Sequence, residues 1–130
     1  MFLWFEWIAI ALGGALGAVS RALIYLGFAE LGQAKLFPVP TLVANIIGSF
    51  IIGVTYYALV EQASLPPIWR QFIMVGFLGA LTTFSTFSLD AFRLIQDGDP
   101  VGAIAYMLTS VAGCLLATWA GYALAGKVFA

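Results

Sequence analysis

Eleven charged side chains, six acidic and five basic, punctuate this 130-residue chain so sparsely that they leave four long apolar stretches between them. A helix that crosses a bilayer needs about 20 mainly apolar residues, because each residue rises 1.5 Å through a hydrocarbon core about 30 Å thick. The four stretches meet that requirement and predict spanning helices over 4–28, 36–60, 69–95 and 100–126. Arg21 interrupts the first, with Glu6 at its start; the second and fourth carry no charge at all. The short polar connections between them hold turn residues such as Pro66-Pro67 and Asp97-Gly98-Asp99-Pro100. No room remains for a water-soluble domain. The expected fold is all-α, one four-helix transmembrane domain over residues 1–130.

Composition excludes several functions. A soluble domain carries about 25% charged residues, whereas this chain has 8%, with 63% hydrophobic. The net charge of −1 gives no basic stripe for nucleic acid. There is no histidine and one cysteine, Cys114. Neither the usual zinc and transition-metal ligand sets nor a serine-histidine or cysteine-histidine pair can be assembled. An enzyme is not expected. The segment from Met1 to Trp7 has no lysine or arginine and carries Glu6, so a cleaved leader is not expected either.

The loop cations give little topological instruction. Four crossings put Arg70 and Lys127 on one side, and Lys35 and Arg93 on the other. Lysine and arginine bias sets insertion, and here it is two against two, or two against three with Arg21. A chain so balanced can insert both ways, and two copies can pair antiparallel about an axis in the membrane plane. Four helices enclose little space by themselves, so a homodimer is expected.

Polar residues inside the apolar stretches are the candidate machinery. Gly13 with Gly17, and Gly113, Ala117, Gly121 and Ala125, are small residues four apart that suit close helix packing. Arg21 lies about 22 Å along the first helix from Glu6, either as an interfacial anchor or as a positive wall for an anion vestibule. Asn45, Ser49 and Gly53 share one face of the second helix. The third stretch runs Gly76-Phe77-Leu78-Gly79-Ala80-Leu81, then Thr82-Thr83-Phe84-Ser85-Thr86-Phe87-Ser88. Five hydroxyls in seven positions, after two glycines, predict a helix broken near Gly79 to Thr83, since non-helical backbone at membrane depth is tolerated where it lines a cavity. Phe84 and Phe87 can offer ring edges, the positive part of the aromatic quadrupole, to an anion. Tyr106 and Ser110, four apart on the fourth helix, extend the polar track or bond between helices.

These residues resemble the CrcB/Fluc fluoride channels. The resemblance rests on Gly13-Gly14 through Gly17-Ala18 to Arg21, Thr41-Leu42-Val43-Ala44-Asn45 with Gly48-Ser49-Phe50, and the whole run from Gly76 to Ser88. It implies an antiparallel, dual-topology homodimer in the plasma (cell inner) membrane that passively conducts fluoride out of the cell. It further implies a fluoride pathway formed by Phe84, Phe87, Asn45, Ser110, Tyr106 and Thr86, with Arg21 near an entrance. A structural sodium ion at the dimer centre, held by main-chain carbonyls of Gly79 and Thr82, is implied as well. The rival is a small dual-topology exporter driven by protons. That machine needs a carboxylate deep in the membrane, and the middle of the first helix has none.

Overall fold

The computed structural model describes residues 1–31 and 37–130. Lys35 and the expected helix start at residue 36 lie outside the described residues. Four helices, each long and apolar enough to cross a membrane, make up the fold: α1 (Trp4–Glu30), α2 (Val39–Glu61), α3 (Pro67–Gln96) and α4 (Pro100–Phe129). No strand occurs among the described residues. The protein is a multi-pass, all-α membrane protein.

Local chemistry sets the helix starts. Pro38 stands just outside α2 at φ −77° and ψ 61°, off the helical region, and Pro40 sits in the first turn, where its missing N–H costs nothing. The helix therefore begins at Val39. Pro100 occupies the first turn of α4, where its missing N–H costs nothing, and Asp99 caps that turn by accepting from the Gly102 N–H at 2.8 Å. At the other end of the bundle both α2 and α3 widen into π-helical turns, Tyr56–Glu61 and Gln71–Leu78.

The helices associate in two close pairs along small-residue seams. In the first pair Gly13 lies on the backbone of Phe72 and Phe77, Gly17 on the Phe77 carbonyl, and Gly76 on the Ile10 carbonyl. In the second, Gly53 faces the Thr118 carbonyl while Gly121 faces the Phe50 carbonyl. A methyl group at any of these five positions would overlap facing backbone, so the absence of a side chain sets the helix spacing. Large apolar side chains point outward instead. Leu12, Leu16 and Leu23 of α1, and Leu108, Leu115 and Trp119 of α4, are exposed, whereas Ala44, Ala103 and Ala125 are buried. This is the distribution expected of a bundle whose solvent is lipid tails.

The third helix breaks, but not at its glycines. Gly79 has ordinary helical angles, φ −60° and ψ −32°. The extended residues are Thr82 (φ −86°, ψ 154°) and Thr83 (φ −150°, ψ 119°), after which Phe84–Gln96 resumes as α-helix. Two adjacent β-branched residues suit extended backbone better than helix. Gly76 belongs to the seam with α1 rather than to the hinge.

Candidate functional site

Asn45 of α2 holds the break open. Its Oδ1 accepts from the Thr83 N–H at 2.7 Å, and its Nδ2 donates to the Thr83 carbonyl at 3.1 Å. One amide side chain thus satisfies both backbone groups of an extended residue, as a neighbouring strand would. The second turn is then capped locally: Thr83 Oγ1 accepts from the Thr86 N–H at 3.1 Å and lies 3.2 Å from Ser85 Oγ. Thr82 Oγ1 donates to the Leu78 carbonyl at 2.8 Å.

These bonds release two of the four carbonyls that the break leaves without a helical donor. In an unbroken helix the Thr83 N–H would serve the Gly79 carbonyl, and the Thr86 N–H would serve that of Thr82. Both donors are committed elsewhere. Gly79 and Thr82 consequently carry carbonyl oxygens without their helical partners, beside a cavity that both residues line. Neutral oxygen ligands of this kind suit a hard monovalent or divalent cation. Sodium is one such cation.

That cavity, of about 370 Å³, opens on the face where α2, α3 and α4 meet. Asn45, Phe84, Phe87 and Ser110 line it, together with Ser49 and Cys114. The structure so brings together residues from three helices that the sequence marked separately. Phe84 is 81% exposed, unusual for a phenylalanine next to a polar cluster. Its ring centroid is 5.4 Å from that of Phe87, which in turn is 5.3 Å from that of Tyr106. Ser110 is buried, and its Oγ has no hydrogen-bond partner among the described residues. A buried hydroxyl without a partner is costly, so its donor is available to a ligand. Asn45 retains one amide N–H after its bond to Thr83. No charged residue lines the cavity among the described residues.

Three other sequence candidates stand outside that lining. Tyr106 is fully buried behind Phe87, and its hydroxyl donates to Asp90 Oδ2 at 3.2 Å. Its single proton is thereby committed to a carboxylate. Thr86 contributes its backbone N–H to the cap, and Arg21 is half-buried on α1; neither lines the cavity. Sequence reasoning marked Thr83 only as the end of the expected break and missed that its backbone is the partner of Asn45. Its signal was the Thr82-Thr83 pair itself, two β-branched residues where a helix was expected to fail.

Comparison with known proteins adds an independent line. The family model described as CrcB-like protein, Camphor Resistance (CrcB), matches residues 8–122. Among curated proteins, the chain is 51% identical over 117 residues to the Fluoride-specific ion channel FluC of Hahella chejuensis, covering 90% of this chain and 91% of that protein. It is 50% identical over 105 residues to the protein of the same name from Saccharophagus degradans, covering 81% and 77%. A third, from Citrifermentans bemidjiense and also named Fluoride-specific ion channel FluC, is 46% identical over 118 residues, covering 91% and 94%. With a matching model across almost its whole length and relatives this similar over most of both chains, the protein belongs to the CrcB-like family.

Proposed function

We propose that this protein is a passive, fluoride-selective channel of the plasma membrane that lets cytoplasmic fluoride leave the cell. The observation that carries the reading is the cavity in which Phe84 and Phe87 meet Ser110 and Asn45, with no charge among the described residues that line it. The family relatives named as fluoride-specific ion channels support the choice of ion. Fluoride is small and strongly hydrated, so a pathway must replace its water with donors at close range. Phenylalanine edges, an amide N–H and a hydroxyl supply such donors without fixing a charge that would trap the ion. Hydrogen fluoride enters cells as a neutral acid and dissociates inside. The anion then leaves down an inside-negative membrane potential with no coupled energy source.

The working unit in this reading is an antiparallel homodimer of one transmembrane domain, inserted in both orientations and surrounded by lipid. A lone subunit leaves Phe84 exposed and the cavity open on one side, and a second copy would close it. The carbonyls of Gly79 and Thr82 from both subunits would then hold a structural sodium ion. When bound, that ion supplies a fixed positive charge tying the two subunits together. Asn45 shapes its site by drawing the Thr83 N–H away from Gly79. In the fluoride pathway Phe84, Phe87, Ser110 and the remaining Asn45 N–H meet the ion, Tyr106 and Thr86 support them, and Arg21 stands toward an entrance.

A proton-coupled exporter is the less favoured function, because the cavity has no carboxylate to exchange protons among the described residues that line it. Liposomes containing the purified protein and loaded with potassium fluoride and potassium chloride test the proposal. With valinomycin balancing charge, fluoride should leave rapidly while chloride stays. Retention of both anions by folded dimers would overturn it.

A further inference from the structure

The strongest polar cluster outside the cavity joins all four helices at one carboxylate. Asp90 Oδ2 accepts from Thr41 Oγ1 at 2.7 Å and from the Tyr106 hydroxyl at 3.2 Å. Thr41 Oγ1 also lies 2.6 Å from the Tyr25 hydroxyl. A threonine hydroxyl has one proton, and Thr41 gives it to Asp90, so Tyr25 must be the donor to Thr41. Every proton in the chain points one way: Tyr25 to Thr41 to Asp90, with Tyr106 arriving from the other side. Thr41 and Tyr106 are buried, at 2% and 0% exposure. The cluster thus brings α1, α2, α3 and α4 together through side chains far apart in sequence.

We infer that Asp90 is a positioning residue for fluoride conduction, holding Tyr106 so that its ring fixes Phe87 in the cavity wall. The inference rests on the channel reading above. Tyr106 is clamped at its hydroxyl by Asp90, and its ring is wedged between Phe37, centroids 5.5 Å apart at 87°, and Phe87 at 5.3 Å. Phe87 in turn touches Phe84. A ring-edge contact with a small anion tolerates little error in position, since displacements of an ångström are costly at a polar site. Asp90 therefore acts on the ion through two rings and not by its charge. This separates its task from that of a proton-exchanging carboxylate, which would have to meet the transported ion.

The role makes amide and carboxylate interchangeable at this position. Asparagine keeps an oxygen to accept from Thr41 and Tyr106. Its NH2 would replace Oδ1, which makes no hydrogen bond within the protein among the described residues. In reconstituted dimers, Asp90→Asn should conduct fluoride within about threefold of the unaltered protein, and Asp90→Ala should lose about tenfold, the scale of one charge-assisted hydrogen bond. Chloride exclusion should weaken in Asp90→Ala and hold in Asp90→Asn. Tyr106→Phe removes only the hydroxyl, and combining it with Asp90→Ala should add no further loss, because both break the same clamp.

An Asp90→Asn protein as impaired as Asp90→Ala would assign the task to charge and overturn the inference. So would an Asp90→Ala protein with normal flux and selectivity. If Asp90→Ala yields no dimer, Thr41→Val and Tyr106→Phe with Asp90→Asn carry the same comparison, and normal flux in Tyr106→Phe refutes the clamp. Failure of the unaltered protein to conduct fluoride would strike the channel reading itself, which these comparisons leave distinct.

Discussion

Replacing Phe84 or Phe87 by isoleucine should cut fluoride flux by about 100-fold, or about 2.7 kcal/mol in the barrier, while the dimer persists. Isoleucine keeps an apolar side chain of similar reach, so packing in the bundle changes little. What it removes is the electropositive ring edge. Phe84 makes the cleaner test, because its side chain is 81% exposed in the subunit and contributes little to the core. Phe87 touches both Phe84 and Tyr106, so its replacement also loosens the cavity wall. Size-exclusion chromatography and fluoride efflux on the same samples separate loss of conduction from loss of assembly. Normal flux in both variants would remove the ring edges from the mechanism.

Forcing one orientation should also cut activity, by about tenfold or more. Four crossings assign two loop cations to each side by sequence, Arg70 with Lys127 and Arg93 with Lys35, a balance that gives little topological instruction. Ala63 and Leu65 are exposed in the loop between α2 and α3. Ala63→Lys with Leu65→Lys adds two cations to the first side. Gln96→Lys with Asp97→Lys, also exposed, biases the opposite side and leaves the Asp99 cap of α4 intact. Each pair alone should fall to about a tenth of normal fluoride flux or less, since a strong lysine bias leaves few oppositely inserted partners. Expressing the two together should restore it. Full activity from either singly oriented population would refute the antiparallel pair.

The four spans were legible because the signal that places them is additive: charge spacing alone delimits α1, α3 and α4 within three residues. The start of α2 needed the local rule about Pro38 and Pro40. The break in α3 was legible too, yet its cause was not. Glycines at 76 and 79 drew attention, but Gly76 is a packing contact with α1 and Gly79 is regular helix. What opens the helix is Asn45, a residue of another span that supplies both hydrogen bonds Thr83 would otherwise find in its own helix. Sequence spacing shows which face Asn45 occupies and cannot show which backbone it meets.

Hydroxyls were the hardest to assign for the same reason. Tyr106 and Ser110 sit four apart and look equivalent along the chain. In the fold the first gives its proton to Asp90 and the second has no partner among the described residues. Only the position of α3 against α4 makes that distinction: one hydroxyl is spent inside the protein and the other is left without a partner among the described residues. Arg21 likewise shares the small-residue face of α1 with Gly17, but the cavity is built by the other three helices.

The central claim, passive conduction of fluoride, is tested most directly by the reversal potential in a planar bilayer containing the purified protein. A fluoride gradient is imposed with chloride on both sides, first at equal pH and then against a pH gradient. The current should reverse at the fluoride equilibrium potential in both conditions. Reversal that follows chloride, or that moves with the pH gradient, would contradict the account.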